Sequence, residues 1–136
     1  MRLVVDTNIL VSATIKNSRA RAVLLHPGFQ FYAPEYALHE IEEHFLEIRN
    51  RAGLDDEDCR RIIDALISVV TVVPKSEFED HLPKARLTMR EIDEDDTSFI
   101  ALALSFKNEG IWSDDKDFQK QHAVRIRRTK DLLALL

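Results

Sequence analysis

Four places in this chain present carboxylates that a fold could bring together: Asp6, Glu40, the pair Asp95-Asp96, and the pair Asp114-Asp115 with Asp117 just beyond. Such groups cannot share a cleft uncompensated, because two unit charges about 4 Å apart repel by about 4 kcal/mol at an effective dielectric near 20. They must either take up protons or bind cations. The single cysteine, Cys59, excludes an intramolecular disulfide and a multi-cysteine zinc site, and the five histidines are scattered. His39 adjoins Glu40 but reads as a surface histidine. An all-oxygen ligand set favours Mg²⁺ or Mn²⁺. Two such ions roughly 3.5–4 Å apart are a standard device for phosphodiester hydrolysis, one activating water and the other stabilising the leaving oxygen.

The elements around these acids decide whether they can meet. Leu3 to Val5 is an aliphatic run without alternation, the pattern of a strand buried on both faces. Asp6, Thr7 and Asn8 follow at its carboxyl end, where open parallel α/β sheets place their ligand crevices. An acid there can equally be a helix cap. Ser18 predicts a capped helix over Arg19 to Leu25, and Phe29 to Ala33 a second strand ended by Pro34. Glu35 to about Arg51 is periodic, with Leu38, Ile41, Phe45 and Ile48 on one face and Glu40 at its boundary. Asp55 to Asp58 suit the positive end of a helix dipole and receive a structural role. That helix buries Ile62, Ile63, Leu66 and Ile67, and Thr71 to Val73 follows as a third strand. A further helical segment over Ser76 to Met89 should be kinked or divided at Pro83.

Asp93 to Asp96 precede a nearly all-apolar helix from Phe99 to Phe106, and capping accounts for only one or two of these acids. Asp96 and Asp95 are nearest the helix and best placed to turn inward. Ile111 to Ser113 forms a fourth strand and delivers Asp114, Asp115 and Asp117 at its end, repeating the logic of Asp6. Val124 to Ile126 reads as an edge strand, and Thr129 as the cap of a last amphipathic helix.

A net charge of −5 argues against a protein that coats nucleic acid nonspecifically, but not against a nuclease whose site itself consumes carboxylates. With 45% hydrophobic residues and seven Gly plus Pro in 136, the chain is expected to form one domain over residues 1–136. No apolar run is long enough to span a bilayer, so a cytoplasmic protein is the simplest expectation. Basic groups, notably the run through Arg127 and Arg128, could guide a phosphate backbone, although charge runs usually face solvent.

Taken together, Val4-Val-Asp6-Thr7-Asn8-Ile-Leu, the Glu40 helix, Asp95-Asp96 before Phe-Ile-Ala-Leu-Ala-Leu, and Trp-Ser113-Asp-Asp115-Lys-Asp117-Phe resemble the PIN domain, named after the N-terminal domain of PilT. The likeness covers essentially the whole chain. It implies a three-layer α/β/α fold around a mostly parallel sheet of about five strands, and an Mg²⁺- or Mn²⁺-dependent ribonuclease site. By the resemblance, Asp6, Glu40 and Asp96 match the three principal acids, Asp115 the fourth, and Asp117 a frequent extra ligand. Thr7, Asn8 and Ser113 match the polar residues that support them. Many small members resemble VapC-type toxins, which pair with an antitoxin protein and commonly form a homodimer. RNA, an antitoxin and a second copy are thus the partners the resemblance implies.

Three other readings compete. A haloacid-dehalogenase-type phosphotransferase also carries its nucleophilic Asp after the first strand, but usually a second Asp two residues on, where this chain has Asn8. A response-regulator receiver would need an acid pair after the first strand, which is absent. A non-catalytic RNA- or protein-binding module on the same fold would have no need for metal. At the doubled acids, Asp96 and Asp115 are expected inside the cleft, with Asp95 and Asp114 more tolerant of neutralisation.

Overall fold

The computed structural model describes residues 1–136. Its centre is strand β1 (Arg2–Val5), whose Leu3, Val4 and Val5 have no exposed surface. Burial of consecutive residues requires cover on both faces of the sheet, as the unalternating aliphatic run predicts. Four strands join it: β2 (Gln30–Pro34), β3 (Val70–Val73), β4 (Ile111–Trp112) and β5 (Ile126–Arg127). All are parallel, in the order β3-β2-β1-β4-β5. The order reverses direction at β1, so the carboxyl ends of β1 and β4 flank a crevice of the kind that holds ligands in such sheets.

Eight helices complete the α/β fold: α1 (Thr7–Ile15), α2 (Arg19–Leu24), α3 (Glu35–Glu43), α4 (Phe45–Ala52), α5 (Asp56–Ile67), α6 (Leu82–Met89), α7 (Thr97–Ser105) and α8 (Thr129–Leu133). Helix α1 packs on α2, α4 and α5, while α7 packs on α6 and reaches β1, β2 and β4. Ile100, Ala101 and Leu102 of α7 are essentially without exposed surface, as its continuous apolar sequence requires. No helix is long and apolar enough to cross a membrane.

Several predicted elements take a different form. The segment 35–51 is two helices, interrupted at His44, whose φ of −103° and ψ of 15° leave the helical range. The segment 76–89 opens with 3-10 turns at Lys75–Glu77 and Glu79–His81, and α6 starts only at Leu82. Pro83 therefore lies in the first turn of α6, where its missing N–H removes no hydrogen bond, and it starts a helix instead of kinking one. Thr129 is the first residue of α8, not its cap. The N–H of Arg128 is taken by the Asp131 carboxylate at 2.9 Å, and that of Thr129 by Asp114 at 2.8 Å.

One glycine is demanded by the sheet. Gly110 has φ of 113°, and a Cβ there would stand 2.2 Å from the carbonyl oxygen of Arg125. That same oxygen accepts the Ile111 N–H at 2.9 Å, so β4 begins only where its backbone can press directly on the segment leading into β5.

Candidate active site

Asp6 serves as cap and cleft residue at once. Its backbone is extended, its Oδ1 accepts the Asn8 N–H at 3.4 Å, and it stands as N-cap of α1. Its Oδ2 accepts a hydrogen bond from Ser113 Oγ at 2.7 Å, joining the ends of β1 and β4. The side chain is buried, and burial pushes its pKa up to about 6. The bonds from Ser113 and Asn8 oppose that rise, while Asp115 and Glu40 add to it by repulsion.

Glu40 is delivered by α3 from the end of β2. Thr7 Oγ1 donates to its Oε1 at 2.7 Å, so the residue after Asp6 holds the second acid. Burial raises the Glu40 pKa, the Thr7 bond works against this, and Asp95 contributes further repulsion. Tyr36 lies one helical turn earlier and feels the same charges: burial raises its hydroxyl pKa first, then Glu40 and Asp95. No sequence motif singles out Tyr36, yet its i, i+4 relation to Glu40 marks it as a neighbour on that helix face.

Asp96 is the group without a partner. It occupies the N-cap position of α7 but makes no side-chain cap bond, and its Oδ2 is buried with nothing to bond. Thr97 Oγ1 beside it is buried and unpaired as well. Burial, followed by repulsion from Asp6, Asp93, Asp115 and Glu40, pushes the Asp96 pKa up to about 8. Asp95 is exposed, and its N–H is bonded to Asp93 at 3.0 Å in the turn that starts this segment. Asp95 nonetheless adds to the repulsion felt by Glu40.

At the end of β4 the adjacent acids turn to different tasks. The Asp115 N–H donates to Ser113 Oγ at 3.0 Å, and its Oδ1 accepts the Asp117 N–H at 2.9 Å, a self-braced loop that keeps Asp115 near Asp6. Asp114 points to α8 instead, accepting from Thr129 N at 2.8 Å and Thr129 Oγ1 at 2.6 Å. Thr129 Oγ1 in turn accepts from Trp112 Nε1 at 2.9 Å. The Asp117 carboxylate pairs with Lys120 at 2.9 Å, which gives it a partner of its own.

The two arginines expected along the substrate path part company. Arg127 donates through Nε to the Glu109 carbonyl at 3.2 Å and approaches the Glu109 carboxylate at 3.4 Å. Glu109 precedes β4, at the opposite end of the sheet from the acids, so Arg127 is a brace between strand and turn and does not face the cleft. Arg128 lines a surface cleft with Lys16, Arg19 and Lys130. Asn8 is exposed beside Asp6, and His39 bonds Glu43 at 3.0 Å on the surface, away from the acids.

The donor set facing the cleft is all oxygen, which suits a hard divalent cation. The bare oxygen of Asp96 is the specific fit, since a buried carboxylate lacking any donor needs either a proton or a cation. No three His, Cys, Asp or Glu side chains stand close enough as placed to cage an ion. The site is thus an open cluster of mutually repelling acids and not a preformed cage.

Comparison with known proteins accords with this geometry. In the structure of VapBC2 from Rickettsia felis bound to a DNA fragment from their promoter, one chain superposes with a TM-score of 0.75 at 15% identity, over 94% of this chain and 98% of that one. At that identity the likeness is one of fold. None of the curated proteins is a match in sequence. The family model for the PIN domain matches residues 4–136, nearly the entire chain, and the chain therefore belongs to the PIN domain family.

Proposed function

We propose that this chain is a single-domain, divalent-cation-dependent endoribonuclease that hydrolyses single-stranded RNA and serves as the toxin of a toxin–antitoxin pair. The observation that carries the reading is Asp96, half-buried at a helix start with an unpartnered oxygen and four further acids repelling it. A structural acid has no reason to remain so. Asp6 and Asp96 would hold an Mg²⁺ or Mn²⁺ ion, with Glu40 and Asp115 completing the ligand set. When bound, such a cation supplies an activated water and neutralises charge on the leaving oxygen.

The chain's own polar groups keep these acids in place. Ser113 fixes one Asp6 oxygen, Thr7 fixes Glu40, and the Ser113–Asp115–Asp117 turn holds Asp115 at the end of β4. Asp117, paired with Lys120, is assigned to bracing that turn and not to the ligand set. An antitoxin partner, a homodimer and a cytoplasmic location accompany the toxin reading, supported by family membership and by the fold shared with VapBC2.

The test is cleavage of a mixed set of structured and unstructured RNAs by wild type and Asp6→Asn, with Mn²⁺ or with EDTA. Wild type should cut only with metal, and Asp6→Asn should not cut. Equal activity of the two proteins would contradict the proposal. Tight RNA binding with no cleavage under any metal would make the chain a non-catalytic module.

A further inference from the structure

The acids sit at one end of a surface whose charge is the reverse of the chain's own. Two clefts of about 400 and 690 Å³ lie along and beyond α1. The first starts at Asn8, two residues past Asp6, and runs over Ser12 to Lys16 and Arg51. The second takes up Lys16 again and continues to Arg19, Arg128 and Lys130. Lys16 lines both, so the two clefts adjoin. From Asn8 to Lys16 the helical rise alone is about 12 Å.

Five cations from three separate stretches of sequence converge on this path: Lys16 and Arg19, Arg51, and Arg128 and Lys130. None is ion-paired within the chain, although Arg49, Arg60, Arg61, Lys120 and Arg127 all are. The only carboxylate on the path is Asp114, already bonded to Thr129. In a protein of net charge −5, an acid-poor strip of free cations beginning beside the acidic site is not what an even scatter of charge would produce. The other large cleft differs in charge balance, since its Lys75, Arg86 and Arg90, likewise without ion pairs, share the lining with Glu35 and Glu94.

We infer that the strip from Asn8 through Lys16 and Arg51 to Arg19, Arg128 and Lys130 is a rail for the phosphate backbone of the RNA strand, holding the part that extends beyond the scissile bond. The choice of RNA as the polyanion rests on the ribonuclease reading. Contacts of this kind position a strand without reading its bases, so the rail contributes affinity and register, and sequence preference must arise nearer the acids. A substrate confined to the nucleotides at the acids would not reach it.

The experiment measures binding of a labelled, unstructured oligouridylate to Asp6→Asn protein across a salt titration, by fluorescence anisotropy. Adding Lys16→Gln, Arg19→Gln and Arg128→Gln should weaken binding and lower the log–log salt slope by about 2, at roughly 0.7 per lost phosphate contact on a single strand. Arg86→Gln with Arg90→Gln, in the other cleft, should leave affinity and slope unchanged. Comparing melting curves shows whether each variant is folded, and the wild-type chain gives a second reading through oligouridylates of decreasing length, whose salt slope should drop once they are too short to span the path. An unchanged slope in the triple variant, an equal loss from the Arg86 and Arg90 changes, or no RNA binding at all would overturn the rail. Binding of poly-glutamate as tight as that of RNA would also overturn it and make this face a dock for an acidic protein segment. Metal-dependent cleavage with an unaltered slope would remove the rail and keep the ribonuclease; the expected slope change with no cleavage would do the opposite.

Discussion

Two stretches of this chain place four acids at the start of a helix, and their fates differ. In Asp55 to Asp58 every acid has a partner: Asp55 accepts the Asp58 N–H at 2.8 Å, Asp56 pairs with Arg49 at 2.6 Å, and Glu57 and Asp58 pair with Arg61. All four are exposed. In Asp93 to Asp96 the capping bond goes to Asp93, and Asp96 is left half-buried with a bare oxygen among four other carboxylates. Acid density therefore does not mark the site. Burial without a counter-charge does, because it is a cost that a merely structural acid would have no reason to bear.

The largest expected effect separates these two stretches by activity. Asp96→Asn should lower RNA cleavage by at least about a hundredfold, the scale for losing one preorganised electrostatic group in a site. Asp56→Asn and Glu57→Gln should leave cleavage unchanged and shift stability by less than about 0.5 kcal/mol, as exposed pairs do. Comparable losses from the two stretches would erase the distinction.

Proton linkage provides the next test. Asp96 takes its proton at about 8 in the folded chain against an ordinary 3.8, and Asp6 at about 6. Between pH 3.8 and those values the folded form holds more protons than the unfolded form, so its stability falls as pH rises through this window. Metal-free melting temperature should accordingly decline towards pH 8, and Asp96→Asn should flatten the decline. At neutral pH that variant should melt about 4 °C higher, the shift of roughly 1 kcal/mol at this chain length, a modest figure because the carboxyl is half open to water. Mn²⁺ should raise the wild-type melting temperature, and more so at high pH, since ligands must shed protons to bind it. A melting temperature indifferent to metal would remove the basis for a shared site.

Adjacent acids on β4 sharpen the comparison at smaller scale. Asp114→Asn should cost about 1 kcal/mol through weakened anchoring of α8, with cleavage per folded molecule retained. Asp115→Asn should do the reverse, losing cleavage with little change in melting. Thermal melts paired with initial rates distinguish them, and the opposite pattern would move the fourth acid to Asp114.

Much of this was legible in residue order. The buried first strand, the cap at Ser18 and the acidic start of α5 follow from local pattern, and a mostly parallel sheet from the family resemblance. What escaped the sequence depends on contacts between distant segments. The break at His44 lets α3 present Glu40 towards Thr7 while α4 packs on α1, and nothing local announces it. Arg127 and Arg128 look alike in sequence, yet the first ends β5 and reaches Glu109 while the second caps α8 and lines a cleft. The choice of Asp115 over Asp114 comes from the family resemblance, while the partner that occupies Asp114, Thr129, shows only in the fold.

The most direct measurement is a cleavage time course on unstructured RNA by wild type, Asp6→Asn and Asp96→Asn, each with Mn²⁺ and with EDTA. Product is expected from wild type with Mn²⁺ alone, and at most about a hundredth of that rate from either variant. Cleavage that persists in EDTA, or that either substitution leaves intact, would contradict it.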